Sequence, residues 1–339
     1  MRIGQNPAKA GIKAPQVKSL GIVTITCVPN QEGYFQESMT IIEMVLASLR
    51  ANTGQDFDLY VFDNGSCSAV QNRLYELKQK GIIDVLTLFT ENFGKIGALN
   101  RAVASMPNDW IAYSDSDFYF RKGWFDQSMK IAESFPAAAM ITAQPNIFDQ
   151  LEGKSKVVTH LQDWGIASKL EKLDPRAVEA YCDGIGVNAE TRQNFLNSLS
   201  LIVENPASRV KAVFGACTAQ FMGKREMLQK IFPLPNHFLI SREEDNEICR
   251  AVDKANWLQL STVNPYVVHI GNHIDDTISN EAKNDSLSLE KFSFQKKSIE
   301  HKDSPAWKML LMLNRVPFLK RVFRRLYVNL FELYSVEKR

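Results

Sequence analysis

Between Leu20 and Asp117 the chain repeats one alternation: a short apolar or β-branched run, a polar break, then a stretch with apolar residues at helical spacing. "LGIVTITCV" suits a buried parallel strand and stops at Pro29-Asn30. "ESMTIIEMVLASLRAN" then sets Met39, Ile42, Val45, Leu46 and Leu49 at helical spacing, with Ser38 as the expected N-cap. A second strand, "FDLYVF", runs into Asp63-Asn64-Gly65-Ser66. Ser68 and Gln71 follow with capping-box spacing, ahead of a helix that Gly81 closes. "VLTLF", "GALNRAVASM" and "WIAYSD" continue as strand, helix and strand. This rhythm predicts an α/β fold built on a parallel, doubly wound sheet, whose ligands bind outside the carboxyl ends of the strands.

The strand ends are therefore compared as a set. They are Pro29-Asn30, Asp63 to Ser66, Asn92-Phe93-Gly94-Lys95 and Asp115-Ser116-Asp117. Each alone is ordinary turn chemistry, but the topology places all four on one rim. In a strand, residues i and i+2 point to the same side, so Asp115 and Asp117 repel unless a cation or donor groups compensate them. The pair is thus a candidate metal site. Gly94 and Gly97 allow backbone to approach a ligand closely, and Lys95 stands where it can meet a phosphate.

Composition excludes several classes. The 339 residues, 45% hydrophobic, are ample for a sizeable core, and a net charge of +2 is too small to imply a nucleic-acid partner. Five widely spaced cysteines without any C-x-x-C read as free thiols in a reducing compartment. The first residues hold no long apolar core, and no run of about 18 apolar residues occurs anywhere. A cytoplasmic protein is expected.

The ordered pieces "TITCVPN", "VFDNGS", "ENFGKIGALNRAV", "IAYSDSDF", "FGACTAQFMGKREML", "REEDNEICRAV" and "VVHIGNH" together resemble a GT-A glycosyltransferase of the inverting family 2 type, across about residues 20–275. That resemblance implies a mixed, mainly parallel doubly wound sheet with flanking helices. It implies a nucleoside diphosphate sugar as donor, UDP being the commonest nucleotide, and a saccharide or lipid-linked saccharide as acceptor. It assigns Asp63 to the nucleotide base or ribose, the D-x-D to Asp115 and Asp117, with Asp117 the usual metal ligand, and the catalytic base to Asp245 beside Glu244. His269 would complete the metal site with Asp117 and Asp115, while Pro29, Asp63, Asn92, Gly94, Lys95 and Asp115 line the donor. Residues 146–209 match nothing in that pattern, and "TCVPNQEGYFQ" is looser than its usual opening.

The chemistry agrees. A departing diphosphate needs its charge stabilised, and Mn²⁺ or Mg²⁺ between phosphate and carboxylate oxygens supplies this with hard ligands. The acceptor hydroxyl must lose a proton as it attacks, which requires a carboxylate within hydrogen-bond reach. Asp245 is the candidate, although acids at a helix N-terminus also complement the helix dipole without any catalytic role. Three rival readings remain. A D-x-D-x-[TV] phosphatase would need Thr or Val where Tyr119 stands; a nucleotidyltransferase would need a Gly-rich first turn that "TCVPNQEG" lacks; a non-catalytic nucleotide-sugar or carbohydrate-binding module would share the rim.

The chain divides into a loose leader (1–18), the catalytic domain (19–275), a polar linker (276–303) and basic amphipathic helices forming a C-terminal appendage (304–339). In the last of these, Phe318, Leu319, Val322, Phe323, Leu326, Tyr327, Leu330 and Phe331 alternate with Lys320, Arg321, Arg324 and Arg325. Such a stripe suits either an anionic membrane surface at the inner face of the cell membrane, or packing on the catalytic domain or a second subunit.

Overall fold

The computed structural model describes residues 16–147, 161–236 and 242–285, with the side chains of residues 242 and 243 excepted. The elements in chain order are β1 (Leu20–Thr26), α1 (Ser38–Asn52), β2 (Phe57–Asn64), α2 (Ser68–Gln79), β3 (Val85–Phe89), α3 (Gly94–Ser105), β4 (Trp110–Asp115), β5 (Phe118–Phe120), α4 (Trp124–Ser134) and β6 (Ala138–Thr142). They continue with β7 (Ala167–Glu171), α5 (Pro175–Ile185), α6 (Ala189–Asn197), β8 (Ser200–Glu204), β9 (Lys211–Phe214), β10 (Gln220–Lys224), α7 (Arg225–Ile231), α8 (Arg242–Lys254), β11 (Leu258–Ser261), β12 (Val267–His269) and α9 (Asp276–Asn284). A short 3₁₀ turn, Gly33–Phe35, lies between β1 and α1.

Among the described residues ten strands form one sheet in the order β3-β2-β1-β4-β10-β6-β11-β9-β8-β7. The ladders make β3, β2, β1, β4, β6, β11 and β8 run one way, with β10, β9 and β7 opposed. The fold is therefore α/β with a mixed, mainly parallel sheet. Alternation along β1 shows why helices are needed on both faces: Leu20 and Ile22 join the cluster under α1 and α2, whereas Val23 joins the one under α3, α7 and α8. Val45, Leu46 and Leu49 of α1 are wholly buried, each worth about 1.5–3 kcal/mol of transfer free energy. In register, Thr26 lies opposite Asp63 and Ile25 opposite Asp115, so the parallel strands deliver their polar ends to one edge.

Three local expectations are corrected. Ser38 is the first residue of α1 and does not cap it; the preceding Glu37 holds that position and instead accepts from the backbone N–H of Ile274. No capping box opens α2, because the Gln71 amide donates to Asp63 and to the Phe89 carbonyl, a tertiary use that outcompetes the local one. Residues 276–284 are helix α9 rather than linker. Asp275 accepts from the Ile278 N–H, Ile278 and Ala282 are buried, and Arg121 donates twice to Glu281. Residues 1–15 of the leader and all of the tail from Phe318 to Phe331 lie outside the described residues.

Candidate active site

Strand β4 ends on Asp115, a turn carries Ser116 and Asp117, and β5 begins at Phe118. The two aspartates are thus separated by a turn and do not share one strand face as the sequence alone suggests. Each has its own partners. Tyr113, two residues earlier on the same side of β4, donates its hydroxyl to Asp115 Oδ1. Lys95 Nζ lies 3.4 Å from Asp115 Oδ2. Burial pushes the Asp115 carboxyl above its usual range, against the opposing pull of Lys95. Asp115 is accordingly a partner of Lys95 and Tyr113.

Lys95 occupies the first turn of α3, entered through Gly94 at φ 70. Its ammonium also lies 3.1 Å from Asp245 Oδ1, across 150 positions of sequence. Burial works against the charge, but Asp115 and Asp245 outweigh it and hold Lys95 protonated. Thr218 donates its hydroxyl to the same Asp245 oxygen. Lys95 therefore ties the end of β4 to the first turn of α8.

Glu244 is buried at 9% exposure, and its Oε1 finds no partner among the described residues. Burial, opposed first by Lys95, pushes its carboxyl up to about 7. Since the unfolded carboxyl titrates near 4.5, the native state binds the extra proton between these values, and stability falls as pH rises through that window. Glu244→Gln should raise unfolding free energy by about 1–3 kcal/mol at pH 8 and by almost nothing at pH 4. Denaturant unfolding at the two pH values measures this; an equal effect at both would contradict it.

Asp117 is held differently. The β5–β12 ladder pairs His269 with Phe118, and the Ile270 N–H donates to the Asp117 carbonyl, so the end of β12 lies beside the turn. His269 Nε2 is 3.0 Å from Asp117 Oδ2, while Asp117 Oδ1 is buried and finds no partner among the described residues. Burial lowers the His269 pKa, but the hydrogen bond and charge of Asp117 outweigh it and raise it. An orphaned carboxylate oxygen beside an imidazole nitrogen fits a divalent cation that takes its remaining oxygens from a phosphate ligand and water.

Asp63 does not face the cleft. It is wholly buried, with Thr26 donating to Oδ1 and the Ser66 N–H and Gln71 amide donating to Oδ2. Its oxygens thus tie β1 and α2 to the turn after β2. The residue from that turn that lines the cleft is Asn64. Asn64 donates to Asn92 Oδ1 and accepts from the Phe93 N–H, and Asn92 accepts in turn from the Gly94 N–H. Asn92 and Gly94 thus shape the entry to α3, while Pro29 is exposed on the loop after β1.

The resulting cleft, about 260 Å³, is lined by Cys27, Asn64, Lys95, Tyr113, Asp115 and Asp117, with Ile25 and Ser116. A second hollow of about 150 Å³ shares Cys27, Ser116 and Asp117 and adds Tyr34, Phe35 and Asn272. Asp117 stands in the wall between them. Tyr113 was legible in principle, being two residues before Asp115 on one strand; Asn64 and Thr218 carry no sequence signal that separates them from turn and loop residues.

Residues 34–232 match Glycosyl transferase family 2. The chain belongs to this family. Its fold is GT-A. No curated protein matches the sequence. Among solved structures, TarS of S. aureus is similar at 16% identity over 38% of this chain and 22% of that one, with a TM-score of 0.30. The chain thus spans about a fifth of that relative's length. The form of TarS comprising its residues 1 to 349 is similar at 12% identity over 88% of this chain and 81% of that one, TM-score 0.44. The mannosyltransferase PcManGT of Pyrobaculum calidifontis, solved with GDP-Man and Mn²⁺, is similar at 11% identity over 74% of this chain and 55% of that one, TM-score 0.44.

Proposed function

We propose that this family 2 glycosyltransferase is a metal-dependent, inverting enzyme that moves a sugar from a nucleoside diphosphate sugar, a UDP-sugar first, to an acceptor hydroxyl of a polysaccharide or lipid-linked saccharide. One observation carries the reading: Lys95, which lines the cleft with Asp115 and Asp117, bridges Asp115 to Asp245, while Asp117 pairs with His269. Asp117 and His269 would hold Mn²⁺ or Mg²⁺, which when bound supplies charge neutralisation for the leaving diphosphate. Lys95 adds a fixed positive charge at the same cleft, for which a diphosphate competes with the two aspartates. Asp245, with 45% of its side chain exposed, accepts the proton of the attacking hydroxyl. Thr218 keeps the carboxylate oriented. The basic amphipathic tail supports attachment at an anionic membrane surface, where a lipid-linked acceptor would be met.

The test is slow hydrolysis of a panel of UDP-, GDP- and dTDP-sugars with Mn²⁺ or Mg²⁺. Release of free nucleoside diphosphate from at least one donor is expected, and only with metal. A binding module would bind a donor and release nothing, and a nucleotidyltransferase would cleave between the two phosphorus atoms.

A further inference from the structure

Helix α5 lies within residues 146–209, the region for which sequence offers no role. It is anchored from within: Asp174 caps its N-terminus, and Val178, Tyr181 and Cys182 pack with Ile202 and Val213 of β8 and β9. Its last turn meets β12. A Cβ on Gly184 would stand 2.9 Å from the His269 carbonyl oxygen and 3.0 Å from the His269 Cβ, so only glycine lets the helix backbone approach this closely. The last carbonyls of a helix lack intrahelical donors. The Gly184 carbonyl oxygen finds one in His269 Nδ1, at 2.5 Å. A carbonyl only accepts, so Nδ1 carries a proton; Nε2 is turned to Asp117 Oδ2 at 3.0 Å, beside an Oδ1 with no partner among the described residues, and a cation bound there would displace the proton that Nε2 shares with the carboxylate.

We propose that Gly184 is a positioning residue for the metal site: its carbonyl fixes the ring orientation and tautomer of His269, so that Nε2 and Asp117 face a cation together. Nothing in Gly184 touches metal or donor. The inference rests on the metal reading above. It also gives α5 a task, since the negative end of the helix and one of its free carbonyls hold the imidazole by the nitrogen remote from the cation. A metal-bound histidine whose second nitrogen loses such a partner typically loses about 10–100-fold in metal affinity.

Gly184→Ala tests this. Alanine favours the helix itself, so any loss comes from the collision with β12 and not from unfolding of α5. Mn²⁺ is titrated by electron paramagnetic resonance into wild type and variant, each with whichever of UDP, GDP or dTDP binds wild type. The variant should need about 10–100-fold more Mn²⁺, while its maximal rate at saturating Mn²⁺ stays within a few-fold. A variant that binds Mn²⁺ within twofold of wild type overturns the inference and leaves the metal reading standing. Wild type that binds no Mn²⁺ with any of the three nucleotides overturns the metal reading, and the inference with it. Should Gly184→Ala fail to fold, nitrogen-15 spectra of wild-type histidines at alkaline pH, recorded with saturating Mg²⁺ and the bound nucleotide, decide, with His269 assigned by its loss in His269→Ala. A neutral His269 protonated on Nδ1 is expected; one protonated on Nε2 overturns the proposal.

Discussion

Asp245→Asn is expected to lower sugar transfer on the order of 10²-fold or more while leaving donor binding nearly intact. Asparagine has almost the shape of aspartate, and its Oδ1 can still accept from Thr218 and Lys95, so the link between α8 and α3 survives. What is lost is the ability to take a proton from the acceptor hydroxyl. Glu244→Gln should matter less to transfer, because Glu244 is buried where the Asp245 side chain is 45% exposed. Initial rates with the true acceptor, set beside donor affinity from calorimetry, separate the two effects. If turnover survives Asp245→Asn within a few-fold, the base lies elsewhere and Glu244 becomes the first suspect.

Asp117→Ala should cost about 10²-fold or more in both transfer and donor hydrolysis, since a bound divalent ion contributes several kcal/mol to a transition state that builds charge on the leaving diphosphate. Alanine removes the carboxylate that His269 Nε2 faces, together with the buried oxygen that has no partner among the described residues. The remaining dependence of rate on Mn²⁺ should flatten. Loss of activity with an unchanged Mn²⁺ dependence would place the metal at other ligands.

The distribution of roles between the two aspartates of the D-x-D shows where sequence stops informing. The apolar periodicity from Leu20 to Asp115 marks β1, α1, β2, α2, β3, α3 and β4 in order, because burial on two faces imposes it. The rim follows from strand direction alone. Strand parity then misleads at Asp115 and Asp117, since the turn at Ser116 cannot be seen from composition, and a turn sends the second carboxylate to His269 instead of to its neighbour. Parity also hides the difference between Asp63 and Asn64. Adjacent strand residues face opposite ways, and which face lies over the cleft depends on the helix that covers the other. Asp245 was reached through a resemblance; its bonds to Lys95 and Thr218 join residues 150 and 27 positions apart, a closeness no local pattern encodes. Helix α9 is hard to read from sequence because its pattern is short and polar, and part of its hold on the domain is an ion pair between Arg121 and Glu281 beside the buried Ile278 and Ala282.

The central claim is that a nucleoside diphosphate binds here through a divalent ion held at Asp117. Calorimetric titration of UDP, GDP and dTDP, with and without Mn²⁺, into wild type and Asp117→Ala tests it most directly. At least one nucleotide should bind wild type about tenfold or more tighter with Mn²⁺, a gain of about 1.4 kcal/mol, and that gain should vanish in Asp117→Ala. Failure of all three to bind, or binding indifferent both to Mn²⁺ and to Asp117→Ala, would contradict it.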